Sequence, residues 1–443
     1  MQLCSKFMNK EEKYQEILSY LFSQFPQYQH VGASAYKSGL EDMQVLDHIM
    51  GHPHQKFPSV HVAGTNGKGS VSHMLAAVLQ RKGYRTGLYT SPHLVDFRER
   101  IRINGTTISK EEVVEFAERY RALFDKLRPS FFEITTTMAF CYFAQQKVDI
   151  AIIETGLGGR LDSTNVIHPI LSLITNIGFD HCEYLGNTLA QIANEKAGII
   201  KPQTPVVVGE RHPETDQVFI NIAQKQGATL YFAEDFFKVD SIVRDGHYQF
   251  FMINNEEYCS DLKGDYQQKN IPTVLKATEF LPKRVTTDVI KLGLRDAAHS
   301  TGLRGRWECI SQKPRIIVDA AHNAHGLRWV TEQLKNEKYR QLHFVFGVVA
   351  EKDLASISPL LPKDAVYYYT NAKIPRALNA NLLAWQCRNA GLVGEVVMGV
   401  SDAVAAARRT AQDEDLIFVG GSIFVVAEAL EIKWGTSIQI SPF

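Results

Sequence analysis

Short apolar, β-branched runs alternate with longer segments of helical period along most of this chain. The apolar runs predict strands at 59–63, 86–90, 149–154, 171–175 and 205–209, and a second series at 315–319, 343–347, 366–370, 395–398 and 416–419. Helical period is clearest at 70–81, 110–126, 137–146 and 189–197. Because strands that alternate with helices are typical of parallel sheets, the pattern predicts an α/β fold.

Two segments break this alternation and suggest how the chain is divided. Residues 232–261 alternate polar and apolar positions, which is typical of antiparallel hairpins. Residues 300–306 are small and glycine-containing and immediately precede the second series of strands, so they are the best linker candidate. We therefore place one domain at 1–299, with a mostly parallel sheet, and a smaller, Rossmann-like α/β domain at 302–443.

Composition and charge exclude several classes of protein. The 443 residues contain 48 Lys plus Arg and 48 Asp plus Glu, so the basic excess of a simple nucleic-acid-binding protein is missing. No apolar run reaches the length of a membrane span, and the N-terminal residues lack the apolar stretch of a signal peptide. The six cysteines form no CxxC pair. We expect a cytoplasmic enzyme that binds neither nucleic acid nor a membrane.

A glycine-rich loop follows the first predicted strand and leads into a helix expected to start near residue 71. It consists of Gly64, Thr65, Asn66, Gly67, Lys68, Gly69 and Ser70. Such a loop points backbone N–H groups and a lysine at an anion, although Val62 and Gly69 depart from the strict Walker pattern. The alternative is a simple glycine turn with a solvated lysine. Three glycines around one lysine after a strand favour nucleotide binding.

Other candidate residues lie near further predicted strand ends. Glu154 ends a buried strand and suits magnesium, although such a residue can also cap a helix. His181 could add a nitrogen ligand, but a single histidine more often forms hydrogen bonds. Lys196 lies on the apolar face of the helix at 189–197, where a lysine usually extends to the helix edge.

A predicted hairpin at 97–108, with its turn at Asn104-Gly105, carries three arginines. Arg98, Arg100 and Arg102 alternate, so they are expected on one face, either as a grip for substrate carboxylates or as a solvated charged surface.

In the second domain, Asp319 ends a strand and could accept a hydrogen bond from a ribose hydroxyl, with His322 and Asn323 close by. Residues 417–423 pass from strand to helix and form a smaller anion-binding turn.

Together these segments resemble the folylpolyglutamate synthases and dihydrofolate synthases of the Mur ligase superfamily. The resemblance rests on residues 64–70, 89–93, 100–105, 154–165, 180–181, 194–198, 305–306 and 319–326, in that order along the chain. It implies an N-terminal P-loop ATPase domain and a smaller C-terminal α/β domain, with ATP between them. It also implies that ATP converts a carboxylate to an acyl phosphate, which the amine of L-glutamate attacks to give an amide.

The resemblance assigns roles to individual residues. ATP would be bound by the loop of Gly64–Ser70, including Lys68, and by Asn270, Arg306 and Asp319. Ser91, Glu154 and His181 would bind one Mg²⁺, and Lys196, as its carbamate, a second; a monovalent cation is a further candidate cofactor. Ser130, Phe132 and Asp162 would bind the folate, and Arg100, His322 and Ser422 the incoming glutamate. Lys68, Lys196 and His322 are the expected catalytic residues.

The segments around Phe132 and Asp162 resemble those that enclose the pterin in bacterial bifunctional enzymes. We therefore expect glutamate addition to dihydropteroate and to reduced folates, by a monomer. Arg98 stands where the family usually has Asn, which bears on the shape of the glutamate pocket. Three alternatives remain: a folylpolyglutamate synthase without the first activity, a Mur-type ligase of cell-wall synthesis, and a regulatory nucleotide-binding module. The Mur-type ligase lacks support because too little chain precedes the first predicted strand for a separate UDP-binding domain.

Overall fold

The computed structural model describes residues 9–25 and 39–432. These residues form two compact units. The first unit contains the described residues up to Asp261 together with Gln268–Leu303, and the second contains Leu262–Gln267 and the chain from Arg304 onward. The sequence did not predict the short excursion at 262–267, which belongs to the second unit.

An eight-stranded sheet organises the first unit, in the order β4-β3-β2-β5-β1-β6-β7-β8. Its strands are β1 (Ser59–Ala63), β2 (Thr86–Tyr89), β3 (Ile101–Ile103), β4 (Thr106–Thr107), β5 (Ile150–Glu154), β6 (Leu171–Ile174), β7 (Val206–Val208) and β8 (Leu230–Phe232). Neighbours from β2 to β8 pair in parallel, whereas β3 and β4 form an antiparallel edge. The predicted α/β fold with a mostly parallel sheet is confirmed.

Helices cover this sheet, and the central strands are buried along their whole length. The helices are α1 (Lys10–Gln24), α2 (Glu41–Ile49), α3 (Lys68–Arg81), α4 (Lys110–Leu127), α5 (Phe131–Gln145), α6 (Cys182–Leu185), α7 (Leu189–Ala197), α8 (Asp216–Gln226), α9 (Gln267–Thr278), α10 (Thr287–Arg295) and α11 (Ala297–Thr301). All five residues of β1 are buried, which explains its continuous apolar run. Among the described residues, one apolar core is rich in phenylalanine and another lies around β6 and β7.

The polar alternating segment forms a separate three-stranded antiparallel sheet, as the sequence predicts. Its strands are β9 (Val239–Asp245), β10 (Tyr248–Ile253) and β11 (Glu256–Ser260), with β10 in the middle. Every second residue of β10 is buried, so one face of this sheet packs inward and the other is more accessible.

The second unit is built on a six-stranded sheet in the order β12-β13-β17-β14-β15-β16. Its elements are β12 (Glu308–Gln312), β13 (Arg315–Asp319), α12 (Ala324–Lys335), β14 (Leu342–Phe346), α13 (Leu354–Ile357), β15 (Val366–Tyr369), α14 (Ala380–Asn389), β16 (Gly394–Val396), α15 (Val400–Thr410), β17 (Leu416–Gly420) and α16 (Ile423–Glu431). Only β12 in this sheet is antiparallel to its neighbour. Its core contains stacked aromatic rings from β14 and β15, among them Phe344, Tyr367 and Tyr369.

None of the helices in the described residues is both long and apolar enough to cross a membrane.

Candidate active site

Four neighbouring strands of the first unit end at one edge of the sheet, and most candidate residues follow them. In sheet order these strands are β2, β5, β1 and β6, all parallel. Their ends carry Ser91, Glu154, Gly64 and Asn176, respectively. Because adjacent strands lie about 4.8 Å apart, this edge brings together residues that are distant in sequence. Ligands of parallel sheets bind at this edge.

The glycine-rich loop between β1 and α3 needs two of its glycines for steric reasons. Gly64 and Gly67 have φ angles of 148° and 82°. A Cβ on Gly64 would lie 1.9 Å from Thr175 Oγ1, and one on Gly67 would lie 2.2 Å from Asn270 Oδ1. The structure therefore places Asn270, on α9, directly against the loop.

Helix α3 begins at Lys68, earlier than the predicted start near residue 71, so Gly69 and Ser70 lie in its first turn. The first N–H groups of a helix have no partner within the helix, which suits them to bind phosphate oxygens. The Lys68 ammonium donates to the carbonyl oxygens of Gly64 at 2.9 Å and Thr65 at 3.2 Å. The Lys68 side chain is thus folded back onto the first two residues of the glycine-rich loop.

The end of β6 fixes the other side of this loop. The Asn176 carbonyl accepts from Thr65 N–H at 2.9 Å, and its Oδ1 accepts from Asn66 N–H at 3.0 Å. The Thr65 hydroxyl donates to the Gly178 carbonyl at 3.1 Å. Thr65 and Asn66 are therefore positioned by hydrogen bonds that the sequence pattern did not indicate.

Lys196 lies on α7 and is only 3% exposed. Its Nζ donates to the Gly64 carbonyl at 2.9 Å, the same oxygen that Lys68 contacts. Burial, together with the charge of Lys68, lowers the pKa of Lys196 from 10.5 to about 7. The expectation that this lysine extends to the edge of its helix is wrong, because its side chain is buried beside the glycine-rich loop.

The predicted metal ligands Ser91 and Glu154 lie side by side. The Glu154 carboxylate is buried and accepts from the Ser91 N–H at 3.1 Å. His181 is the N-cap residue before α6, in the left-handed conformation, with Nε2 3.9 Å from Asp180 Oδ2. Among the described residues, no group of three or more His, Cys, Asp or Glu side chains could hold a metal ion. One buried carboxylate with a neighbouring hydroxyl nevertheless fits Mg²⁺, which commonly takes few protein ligands and completes its shell with water and phosphate.

The loop after β5 folds around the carboxylate of Asp162. Asp162 Oδ2 accepts from the N–H groups of Gly156 and Leu157, both at 2.8 Å. Its Oδ1 accepts from the N–H and the hydroxyl of Thr164, at 3.0 and 2.5 Å. The pKa of Asp162 is raised, because burial raises it more than these hydrogen bonds lower it.

The two other predicted folate residues lie at the start of α5. Ser130 is the N-cap: its hydroxyl accepts from Glu133 N–H at 3.1 Å. The Phe132 ring lies over Gly156, where an added Cβ would be 2.5 Å from its Cζ atom. It also contacts the Tyr89 ring, with centroids 5.9 Å apart. Phe132 therefore borders the loop that Asp162 organises.

The three arginines do not lie together on a hairpin strand and contact different groups, which corrects the prediction for residues 97–108. Residues 97–100 form a 3₁₀ turn, and the hairpin contains only β3 and β4. Arg98 pairs with Asp96 at 2.6 Å, and Arg102 contacts the Gly105 carbonyl at 3.2 Å.

Arg100 lies in a different environment from Arg102, although both side chains are buried. It is 3% exposed, and its Nε donates to His93 Nδ1 at 2.8 Å. Its guanidinium lies over the Phe131 ring, 5.3 Å from the centroid. Burial lowers the pKa of Arg100, whereas Tyr89 and Glu154 act in the opposite direction.

In the second unit, Asp319 is buried and holds three segments together. Its carboxylate accepts from the Tyr266 hydroxyl at 2.7 Å and from the N–H groups of Trp307 and Ala321, both at 2.8 Å. A carboxylate offers about four acceptor positions, so one is left for a ligand hydroxyl. Asp319 therefore has a structural role that the sequence did not predict, and its ribose contact stays a prediction.

The remaining predicted residues of the second unit lie in loops at strand ends. His322 Nδ1 is 3.1 Å from the Ala320 carbonyl, and Arg306, next to Trp307, is half-buried. Ser422 is the buried N-cap of α16, where its hydroxyl accepts from Phe424 N–H at 3.2 Å. The passage from β17 through Gly421 into α16 confirms the predicted strand-to-helix turn.

Two models of protein families match the chain. The Mur ligase middle domain matches residues 62–277, and the Mur ligase glutamate ligase domain matches residues 305–423. Dihydrofolate synthase/folylpolyglutamate synthase of Bacillus subtilis (strain 168) is 36% identical over 358 residues, which cover 77% of this chain and 83% of that protein.

Solved structures give the same answer. FolC of Escherichia coli in complex with DHPP and ADP has a TM-score of 0.79 and 30% identity, covering 96% of this chain and 98% of its own. A bifunctional folylpolyglutamate synthase/dihydrofolate synthase with Mn, AMPPNP and L-glutamate bound has a TM-score of 0.79 and 29% identity, covering 96% and 98%. With its glycine-rich loop and two lysines at the edge of a mostly parallel sheet, this chain belongs to the dihydrofolate synthase/folylpolyglutamate synthase family of Mur ligases.

Proposed function

We propose that this protein uses ATP to join L-glutamate to the carboxylate of dihydropteroate, and of reduced folates, through an acyl phosphate. The observation that carries the proposal is the meeting of Lys68 and Lys196 at the Gly64 carbonyl, at the sheet edge that also carries Glu154. This sheet edge thus carries the proposed phosphate-binding loop, the buried Lys196 with its lowered pKa, and the carboxylate of Glu154. The names of the family members described above supply the substrates.

The phosphate loop is proposed to bind ATP through the residues from Gly64 to Ser70. N–H groups at the start of α3 would receive phosphate oxygens, and Lys68 would turn from the Gly64 carbonyl to the transferring phosphoryl group. The substrate carboxylate attacks the γ-phosphorus and ADP leaves. Stabilisation of the charge on the phosphoryl oxygens is the main demand of this step.

The rest of the nucleotide is proposed to be bound by Asn270, which lies against Gly67, and by Arg306 and Asp319 of the second unit. We assign the first unit as the ATP-binding domain and the second as the glutamate-ligase domain, in agreement with the two family models.

Lys196 is proposed to carry a carbamate. A neutral amine reacts with CO₂, and a pKa of about 7 leaves a large neutral fraction at physiological pH. The product is an anionic oxygen ligand, which replaces a buried cation. Deprotonation of the amine is the condition that the structure supplies.

Two Mg²⁺ ions are proposed cofactors, one held by Ser91, Glu154 and His181 and one by carbamylated Lys196. When bound, magnesium supplies positive charge that stabilises the phosphate oxygens. The buried Glu154 carboxylate contributes the fixed negative charge that such a cation requires.

Different residues are proposed to bind the pterin-bearing substrate and the incoming glutamate. Phe132 would stack on the pterin, with Ser130 and Asp162 beside it. Arg100, His322 and Ser422 are proposed to bind the incoming glutamate. Its amine attacks the acyl carbon and phosphate leaves, and His322 is our candidate to take up the amine proton.

The experiment is mass spectrometry of the products formed from MgATP, L-glutamate and either dihydropteroate or tetrahydrofolate. Product from both acceptors supports the proposal in full. Product from tetrahydrofolate alone would restrict it to folylpolyglutamate synthesis and remove the pteroate roles of Phe132 and Asp162. If neither acceptor gives product and a UDP-linked cell-wall precursor is turned over instead, the Mur-type alternative would replace the proposed function.

We further propose a cytoplasmic monomer. The described cysteines are free thiols, which agrees with a reducing compartment. Sedimentation of the purified protein tests the oligomeric state.

A further inference from the structure

A buried chain of polar side chains runs from inside β1 to the loop beneath Phe132. His61 lies in the middle of β1, three residues before the phosphate loop, and is fully buried. Its Nε2 is 2.8 Å from the hydroxyl of Thr164, which is also fully buried. That hydroxyl contacts Asp162 Oδ1, and Asp162 Oδ2 receives the N–H groups of Gly156 and Leu157.

Counting protons fixes the direction of each hydrogen bond. The two carboxylate oxygens of Asp162 accept from three backbone N–H groups, so this side chain acts as the acceptor in the loop. The single hydroxyl proton of Thr164 therefore points to Asp162. Its oxygen must then accept from His61, so the imidazole carries its proton on Nε2. The chain runs from His61 through Thr164 to Asp162.

His61 is a constant donor rather than a switch. Burial lowers the pKa of its imidazole to about 3, so the ring stays neutral throughout the physiological range. Its Nδ1 atom is buried without a hydrogen-bond partner in the structure. The unpaired Nδ1 atom costs stability in this buried strand. We therefore attribute the presence of His61 to the hydrogen bond that its Nε2 atom makes with Thr164.

The carboxylate of Asp162 is engaged within the loop, which changes how this residue can act. Two oxygens with about four acceptor positions already receive four hydrogens. Asp162 therefore sets the backbone of Gly156 and Leu157, and Gly156 is the residue on which the Phe132 ring rests. Folate binding would depend on the shape of this loop.

We propose that Thr164, supported by His61, is a positioning residue of the folate site, which acts by holding Asp162 and the Gly156–Leu157 backbone beneath Phe132. This inference rests on the proposed function. The ligand class is the pterin-bearing carboxylate substrate, and neither ATP nor glutamate binding should depend on this chain of hydrogen bonds.

The test compares Thr164→Val with Thr164→Ser. Valine keeps the shape and removes the hydroxyl, leaving Asp162 and His61 without their shared partner, whereas serine retains the hydroxyl. Losing a hydrogen bond to a buried charge predicts a rise of roughly tenfold or more in the KM for dihydropteroate with Thr164→Val. The KM values for ATP and glutamate should stay unchanged, and Thr164→Ser should restore the KM for dihydropteroate.

A purely structural role would affect all three KM values or only the thermal midpoint. Equal rises in the three KM values, or an unchanged KM for dihydropteroate, would overturn the inference. If Thr164→Val fails to fold, His61→Gln provides a second test, because the glutamine amide can still donate a hydrogen bond. We expect His61→Gln to cause a smaller rise in KM, confined to dihydropteroate. No rise in this KM, or an equal rise in all three KM values, would overturn the inference. A wild-type enzyme that makes product from tetrahydrofolate only would be assayed with that acceptor. A wild-type enzyme without product from either acceptor refutes the proposed function instead.

Discussion

The carbamate proposed for Lys196 requires a neutral amine, and the structure sets how much of it exists. An ordinary lysine, with a pKa of 10.5, has roughly one neutral amine in 3,000 at pH 7. With the pKa lowered to about 7, about half of the Lys196 side chains are neutral at that pH. Burial thus raises the reactive fraction by about three orders of magnitude. Because protonation removes the nucleophile, carbamate formation should fall as the pH falls below 7.

The perturbation is Lys196→Met, and the assay is the carbamate carbonyl signal in nuclear magnetic resonance after exchange with isotopically labelled bicarbonate. We expect one signal in the wild-type protein, none in Lys196→Met, and loss of amide formation in that variant. Lys201→Met is the matched control: burial also lowers the pKa of Lys201, whose Nζ contacts the Asn165 carbonyl at 2.8 Å. The control should keep both the signal and the activity.

Chemical rescue gives a second readout. Lys196→Ala leaves space beside the Gly64 carbonyl, and added acetate should restore part of the activity by supplying a carboxylate. Wild-type activity in Lys196→Met, or an active wild-type enzyme without the signal, would refute the reasoning.

Three further substitutions test other parts of the structure. Gly67→Ala should weaken nucleotide binding about tenfold or more in a titration, because its Cβ would lie 2.2 Å from Asn270 Oδ1; Gly51→Ala, also at positive φ but with open space, should not. Arg100→Lys should raise the KM for glutamate about tenfold, since lysine cannot keep the Nε contact to His93 and present a fork; an unchanged KM would contradict this. Burial raises the pKa of Asp415, but hydrogen bonds from Arg340, Gln412 N–H and His343 lower it to about 2. Its stabilising effect is therefore present above its ordinary pKa of 3.8 and lost as the pH falls through about 2, so denaturation midpoints should depend less on pH in this window for Asp415→Asn.

The sequence predicts those parts of the fold that depend on local pattern. The run of Ser59–Ala63 coincides with β1, and the helical period at 189–197 coincides with α7, which Thr188 caps in the structure. These elements are uninterrupted and have clear start signals, so local preference and tertiary structure agree. The antiparallel sheet was likewise visible in polar alternation.

Local sequence pattern could not predict the structure of residues 97–108 or the contact between His61 and Thr164. Arg98 and Arg100 alternate as in a strand, but a capping box at Asp96 begins a 3₁₀ helix over Phe97–Arg100 instead. The role of Thr164 depends on His61, about a hundred residues away, and no periodicity links them. The one usable signal was a histidine within an otherwise apolar buried strand.

Activation of the acceptor carboxylate by phosphorylation is the central claim, and oxygen transfer tests it most directly. Dihydropteroate with isotopically labelled carboxylate oxygens is incubated with MgATP and L-glutamate, and the released phosphate is analysed by mass spectrometry. We predict that one labelled oxygen appears in phosphate for each amide formed, since the acyl phosphate passes its bridging oxygen to the leaving group. Amide formation with unlabelled phosphate would contradict the account.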